Sequence, residues 1–105
     1  MVQPLRGEIW LVDLGLVAKV RPALVLSIPI EDRDRALATI IPHTTAIRGS
    51  RFEVTLEVPV LKSGAFDVPQ VLSIPSVKCI RRLGSLTSGQ CQQVETILCQ
   101  WLGLS

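Results

Sequence analysis

A short polar segment near the middle of the chain has the side chains needed to bind a phosphate group. His43, Thr44 and Thr45 follow an apolar stretch, and Arg48 and Arg51 lie a few residues further on. Guanidinium groups offer forked hydrogen-bond donors, and hydroxyls together with backbone N–H groups supply further donors. The segment therefore suits a phosphate-bearing ligand.

A further cation, Arg21, lies where a loop meets the next predicted strand, close to Lys19. His43 and Thr45 share one face if the strand before them stays extended, because side chains alternate along a strand. Pro42 and the turn residues leave open whether the strand stays extended and whether His43 and Thr45 share a face. Histidine titrates near neutral pH, so His43 is an alternative candidate for an acid or a base.

The chain lacks the motifs that hold metals or nucleotide cofactors. Its single histidine and its three cysteines have no spacing typical of a zinc site, so we expect no metal ligands. No GxGxxG or GxxxxGK[ST] pattern occurs, and we expect no cofactor. The odd number of cysteines, none in a CxxC pair, predicts reduced thiols at Cys79, Cys91 and Cys99.

Composition predicts one globular domain that spans residues 1–105. Hydrophobic residues make up 48% and charged residues 19%, which excludes intrinsic disorder. The net charge of +2 is too small to indicate nucleic-acid binding by itself. The longest apolar run, 23–30, is too short for a membrane span, and residues 1–6 do not resemble a secretory signal. We therefore expect a cytoplasmic protein with no membrane association.

The hydrophobic pattern predicts five to seven short strands followed by one helix. The segment 52–58 alternates apolar and polar residues most clearly, and the charged segment 31–35 is typical of a hairpin tip. Loops are predicted at 15–20 and 60–67, which are rich in turn-forming or mixed residues. The predicted strands are 7–14, 23–28 with Arg21 and Pro22 at its opening, 36–41, 52–58, 70–74 and 77–86.

The C-terminal segment changes to the period of an amphipathic helix. Thr87 and Gln90 fit a capping box, Ser88 is a rival cap, and Gly103 is a plausible stop. Trp101 lies on the apolar face and is predicted to be in the core. Short strands followed by one helix indicate a small β-barrel with the helix over one side or end. The apolar face comprises Cys91, Val94, Ile97, Leu98, Trp101 and Leu102.

Two neighbouring motifs carry a family resemblance. RGEIWLVDL at 6–14 and KVRPALVLS at 19–27 resemble the opening strands of MazF/PemK-type toxins of bacterial toxin–antitoxin modules. The similarity continues in order through 42–45, 52–54 and 70–74, and then through Arg82-Leu83-Gly84 to the terminal helix. It therefore covers nearly the whole chain.

The resemblance implies an SH3-like β-barrel with an appended helix, usually a homodimer. It implies a sequence-specific, metal-independent endoribonuclease that cuts single-stranded RNA, mostly mRNA, and is neutralised by an antitoxin. The products would be a 2′,3′-cyclic phosphate and a 5′-hydroxyl end. The family's catalytic arginine and threonine match Arg21 and Thr45. The residues expected to contact RNA are Lys19, Thr44, Arg48, Arg51, Gln70 and Ser73.

Two departures from the family pattern bear on the RNA groove. The loop at 15–20 is shorter than in many members, and Pro69 stands where an acidic residue commonly precedes the glutamine. Both positions affect groove shape and therefore the target sequence.

The alternative is a non-catalytic toxin of the same fold that acts on a protein such as DNA gyrase, as CcdB-like toxins do. The matches at Arg21 and Thr45 favour the ribonuclease.

Overall fold

The computed structural model describes residues 3–15 and 19–104, and this part of the chain forms seven β-strands and one α-helix. Two short 3-10 turns, Val68–Gln70 and Ser76–Lys78, precede the sixth and seventh strands. The helix α1 is Ser88–Leu102. The strands are β1 Glu8–Asp13, β2 Val20–Val25, β3 Leu37–Thr44, β4 Glu53–Val54, β5 Ala65–Asp67, β6 Leu72–Pro75 and β7 Cys79–Ser85.

All the strand pairs are antiparallel and form one sheet. The strand order is β4-β5-β3-β2-β1-β7, and β6 also pairs with β3. The long strand β3 therefore pairs with three others, with β5 near its C-terminal end and β6 near its N-terminal end. The predicted mainly β fold with a C-terminal helix is confirmed, although the hydrogen-bonded path stays open between β4 and β7.

Both faces of the central strands are buried, since successive strand side chains point to opposite faces. Neighbours such as Ile40 and Ile41 lie in different clusters. The first cluster packs beneath α1 and contains Ile9, Leu24, Leu26, Ile41, Val54, Phe66, Val68, Leu86 and Val94. The second contains Trp10, Val12, Ala23, Val25, Ala38, Ile40 and Ile74. This double burial fixes the register of β2 and β3, because a one-residue slip would exchange the two faces.

The predicted helix and its cap are confirmed. The Thr87 hydroxyl accepts the Gln90 backbone N–H at 3.1 Å, and the Gln90 side chain accepts the Thr87 backbone N–H at 3.0 Å. Gly103 ends the helix in the left-handed conformation, with φ of 70°. Trp101 is 44% exposed, so its predicted core position is wrong: its ring packs edge-on against Phe52 in the last turn of the helix. No helix in the described ranges is long and apolar enough to cross a membrane.

Several predicted strand boundaries differ from the structure: the predicted strand 23–28 is shifted to Val20–Val25, and the one at 70–74 begins only at Leu72. The alternating segment 52–58 forms a strand only at Glu53–Val54, because its ladder with β5 holds two residue pairs. The segment 60–67 was predicted as a loop, yet its end forms β5. The third strand continues past 41 to Thr44, because Pro42 pairs with Ala23 and the next two residues pair with β5.

Candidate active site

The start of β2 and the end of β3 lie side by side. The register pairs Ala23 with Pro42 and Leu24 with Ile41. The ladder ends at Ala23 and Pro42, and Arg21 and Thr44 each lie two positions beyond it, so both lie at the same end of this strand pair. The strand-end position of each side chain thus follows from the buried apolar pairs next to it.

Two clefts adjoin at these strand ends. The first has a volume of about 460 Å³ and is lined by Arg21, Pro22, His43, Thr44, Thr45, Ala46, Val60, Leu61 and Lys62. The second has a volume of about 630 Å³ and is lined by Leu14, Arg21, Pro42, Thr44, Ala46, Arg48, Ser50, Glu53, Asp67, Pro69 and Gln70. Because Arg21, Thr44 and Ala46 line both clefts, we treat the two as one groove.

The structure brings the predicted pair Arg21 and Thr45 into the first cleft, and both residues are exposed. Thr44 lines both clefts, and its hydroxyl accepts the Ala46 backbone N–H at 3.0 Å. The strand β3 ends at Thr44 and the chain bends at Thr45. Strand alternation therefore does not place His43 and Thr45 on one face. One guanidinium and two hydroxyls therefore converge on one cavity.

The loop after Thr45 is held by the carboxylate of Glu53. Glu53 accepts the backbone N–H of Arg48 at 3.0 Å and that of Ser50 at 2.8 Å. These hydrogen bonds, from Arg48 first, lower the pKa of Glu53. These hydrogen bonds hold the loop against β4 and place Arg48 on the wall of the second cleft.

The second cleft also contains two neighbouring carboxylates, those of Glu53 and Asp67. Asp67 pairs with Glu53 across β4 and β5, so the two side chains share one side of the ladder. Burial and the nearby Glu53 charge raise the pKa of Asp67, while Arg48 and Arg21 oppose that shift. The cleft therefore holds two cations beside a partly desolvated acid, with Gln70 at the end of the following 3-10 turn.

His43 forms part of the first cleft wall and is buried. Its side chain is 5% exposed, and its ring packs edge-on against Phe66. Gly64 lies so close that a Cβ added there would be 2.7 Å from Cε1 of His43. Burial lowers the pKa of His43, so the ring is neutral at neutral pH. His43 therefore contributes to packing, independently of any part that it takes in catalysis.

The remaining predicted contacts lie outside the lining of the two clefts in the described part of the chain. Lys19 is exposed in a left-handed conformation with φ of 58°, next to residues 16–18, which are outside the described ranges. Arg51 covers the Phe52 ring, with 4.6 Å from its guanidinium carbon to the ring centroid. Ser73 lies on β6 with its hydroxyl 2.7 Å from that of Thr39.

Sequence reasoning missed three groove residues, namely Lys62, Glu53 and Asp67. Glu53 was visible only as a polar position in an alternating strand, and the other two lay in a predicted loop. Their place in the groove depends on the β4–β5 pairing, which no local spacing indicates. Among residues 3–15 and 19–104, the structure contains no group of three or more His, Cys, Asp or Glu side chains that could hold a metal ion.

Comparisons with known proteins agree on one family. Residues 5–102 match the model of the PemK-like, MazF-like toxins of type II toxin–antitoxin systems. The chain is 33% identical over 103 residues to a protein of Mycobacterium tuberculosis (strain ATCC 25618 / H37Rv) named probable endoribonuclease MazF5. That alignment covers 90% of this chain and 89% of the relative.

Solved structures show the same fold. A crystal structure of MazE-MazF (Form-II) from Deinococcus radiodurans superimposes with a TM-score of 0.84 and 25% identity, over 100% of both chains. A mycobacterial endoribonuclease in complex with its cognate antitoxin gives a TM-score of 0.80 at 24% identity, over 100% of this chain and 98% of the other. The likeness to these chains extends over the whole sheet and the helix.

Proposed function

Because the chain belongs to the PemK-like, MazF-like toxins of type II toxin–antitoxin systems, we propose that it is an endoribonuclease. It cuts single-stranded RNA, chiefly mRNA, at a preferred sequence and needs no metal ion. One observation carries the proposal: Arg21, Thr44 and Thr45 line the same open cleft at the adjoining ends of β2 and β3. A phosphodiester seated there meets one guanidinium and two hydroxyls.

The reaction is an internal transesterification. The ribose 2′-oxygen loses its proton and bonds to the adjacent phosphorus, while the bond to the 5′-oxygen breaks and that oxygen takes up a proton. The products are a 2′,3′-cyclic phosphate and a 5′-hydroxyl end. DNA lacks the 2′-hydroxyl, so it is not cut.

Arg21 acts on the charge that develops at phosphorus. Negative charge grows on the non-bridging oxygens in the transition state, and a preorganised donor at that point contributes about 3 kcal/mol. A guanidinium carries only hydrogen-bond donors and no acceptor, so it does not serve as the base. We therefore assign Arg21 electrostatic stabilisation, with donation of a hydrogen bond to the phosphate.

The two threonine hydroxyls supply further donors to the same phosphate. Family resemblance assigns the catalytic hydroxyl to Thr45, which lies in the first cleft with Arg21. Thr44 lines both clefts together with Arg21, so it is an equally well placed donor. We propose that both hydroxyls contact the bound phosphodiester.

The rest of the groove accommodates the nucleotides on either side. Arg48 and Lys62 supply cations on the walls of the two clefts, and Gln70 supplies an amide. Lys19, Arg51 and Ser73 lie beyond the lining of these clefts, where a longer RNA would reach them. Cations of this kind track the backbone and make binding salt-dependent.

The regulatory setting follows from the family. We propose that a cognate antitoxin neutralises the protein by covering this groove, that the toxin works as a homodimer, and that it acts in the cytoplasm. The mycobacterial endoribonuclease of the same fold, which is in complex with its cognate antitoxin, supports an antitoxin partner. The exposed groove, which has room for an extended peptide, supports the same proposal.

Primer-extension mapping on a long RNA tests this function. The protein, with EDTA present, is expected to cut at a small set of sites, to leave 5′-hydroxyl ends, and to spare DNA of the same sequence. Arg81→Ala is a matched control for Arg21→Ala, because Arg81 is exposed on β7 and lines neither cleft in the described ranges. Absence of cutting, together with inhibition of a gyrase reaction, would favour the non-catalytic alternative. Cutting that EDTA abolishes would reject the metal-free scheme.

A further inference from the structure

The second cleft holds a carboxylate that the proposed cleavage chemistry does not use. Asp67 sits among groups expected to bind an anionic chain, and an acid there reduces the attraction for phosphate. Repulsion from Glu53 and partial desolvation add to the cost of keeping it charged. Arg48 and Arg21 offset part of that cost, and a ligand group that donates hydrogen bonds to Asp67 would offset more of it.

Glu53 and Asp67 differ in how their carboxylates are occupied. Glu53 already accepts backbone N–H groups of Arg48 and Ser50, so it closes the loop. Asp67 precedes the 3-10 turn Val68–Gln70, but its side chain does not cap that turn. Within residues 3–15 and 19–104 the structure gives Asp67 no ion pair. Its oxygens therefore remain available to a ligand in the cleft.

Gln70 stands beside Asp67 for a geometric reason. Asp67 is the residue directly before the 3-10 turn Val68–Gln70, and Gln70 is the last residue of that turn, so the turn brings the two close along the chain. Both residues line the second cleft. Together they present two acceptor oxygens and then an amide that can donate.

Only one RNA base matches this order of groups. The Watson–Crick edge of guanine carries two adjacent donors, N1–H and the N2 amine, and next to them the acceptor O6. Cytosine and adenine place an acceptor beside their amine, and uracil flanks its N–H with two carbonyls, so each sets an oxygen or a ring nitrogen against the carboxylate. Unstacked bases of single-stranded RNA are read at these edges.

We propose that Asp67 and Gln70 form a guanine subsite next to the scissile phosphate, where Asp67 accepts N1–H and the N2 amine and Gln70 donates to O6. This inference rests on the proposed ribonuclease function and names part of its target sequence. Arg21 and Thr44 line both clefts, so the subsite adjoins the cleavage position. The guanine is therefore expected within a few nucleotides of the cut.

A randomised single-stranded RNA library tests the subsite first. Sequencing of the ends that the wild-type protein generates is expected to show guanine enriched at one position near the cut. Two oligonucleotides that differ only by guanine or inosine at that position then isolate the N2 amine. The wild-type protein is expected to cut the inosine substrate about tenfold more slowly, the loss expected for one hydrogen bond to a charged group.

Asp67→Asn provides the decisive variant, because it keeps the shape and removes the charge. It is expected to cut the two oligonucleotides at equal rates, because the guanine substrate loses the contact of its N2 amine in addition to the weaker N1–H contact that both substrates share. Asp32→Asn is the matched control, since Asp32 is exposed in the turn at 31–34 that lines neither cleft. It is expected to retain the tenfold preference. Binding of uncleavable 2′-O-methyl versions of both oligonucleotides provides a readout independent of chemistry, with the same expected differences.

Three results would overturn the subsite. One is wild-type cutting with no guanine preference at any position. Another is an Asp67→Asn variant that still discriminates guanine from inosine. The third is an equal slowing of both substrates by that variant, which would make Asp67 a positioning residue for Arg21. In all three the wild-type protein cuts RNA and the proposed function stands, whereas wild-type protein that cuts no RNA would overturn both.

Discussion

The ring of His43 packs edge-on against the ring of Phe66, with 5.1 Å between ring centroids and 73° between ring planes. Phe66 is fully buried in the cluster beneath α1, so the only histidine of the chain belongs to the core as well as to the wall of the first cleft. Protonation of this ring would place a charge in an apolar contact. His43 therefore couples the pH of the solution to the stability of the strand end that carries Thr44.

Acid should destabilise the protein through His43 in the pH range just below neutral. Burial lowers the folded-state pKa of His43 below its ordinary value of about 6.5. Just below about pH 6.5, His43 is therefore protonated in the unfolded chain but stays neutral in the folded chain. The free energy of unfolding consequently falls as pH drops. Urea unfolding between pH 7.5 and 5 measures this. His43→Gln should flatten the dependence in that range, and an unchanged slope in the variant would contradict the assignment.

The same variant tests whether His43 takes part in the chemistry. We expect His43→Gln to keep cleavage at pH 7.5 within about tenfold of wild type, because Arg21 and the threonine hydroxyls remain in place. The measurement is the single-turnover rate across pH 5 to 9. A loss of about a hundredfold, together with the disappearance of one limb of the pH–rate profile, would instead make His43 the acid or base.

Gly64 should tolerate no side chain, because β5 approaches β3 closely there. A Cβ at this position would overlap the carbonyl oxygen of Thr44 and crowd His43. We expect Gly64→Ala to cost about 1 to 3 kcal/mol of stability, the range for overpacking, and to slow cleavage by displacing Thr44.

Gly89→Ala is the control for that substitution. Its added Cβ would lie 4.0 Å from the nearest atom that the structure gives, the Thr87 hydroxyl, within the first turn of α1. Alanine at a helical position is expected to be neutral or to stabilise by about 0.5 to 1 kcal/mol. Chemical unfolding of both variants distinguishes the two cases, and equal midpoints would contradict the close approach at Gly64.

The sequence could predict the arginines, the threonines and Gln70 of the two clefts, but not Lys62 or the two carboxylates. Arg21 and Thr44 flank strand positions whose apolar pattern is strong, so the strands that carry them could be identified. Glu53 and Asp67 face each other only because β4 and β5 pair, and β5 was hidden in a segment with Lys62, Ser63 and Gly64. A three-residue strand with a turn-like sequence leaves no periodic signal.

The opposite error occurred in the segment 52–58. Its alternation is the clearest in the chain, yet residues 55–58 form no strand, because the partner strand β5 is only three residues long. Alternation of apolar and polar residues shows that a segment has one apolar and one polar face. It does not show that a neighbouring strand is present to form backbone hydrogen bonds with it. In α1, where hydrogen bonds are local, the predicted cap at Thr87 and stop at Gly103 were both confirmed.

Valine substitutions should rank the two threonines as donors to the phosphate. Thr44→Val and Thr45→Val each remove one hydroxyl and keep similar bulk. A lost hydrogen bond to a charged group costs about 1.5 to 3 kcal/mol, so the true phosphate donor should lose about tenfold or more in single-turnover rate. If neither variant loses more than about threefold, the hydroxyls do not contact the reacting phosphate.

The single-turnover cleavage rate of Arg21→Ala on an RNA that carries one mapped site tests the central claim most directly. Arg21 is exposed, so the variant should keep its circular dichroism spectrum and its unfolding midpoint. The proposed role predicts a loss of at least about a hundredfold relative to wild type, with the Arg81→Ala control close to wild type. Cleavage by a folded Arg21→Ala variant within about threefold of wild type would contradict the role of this groove in cutting RNA.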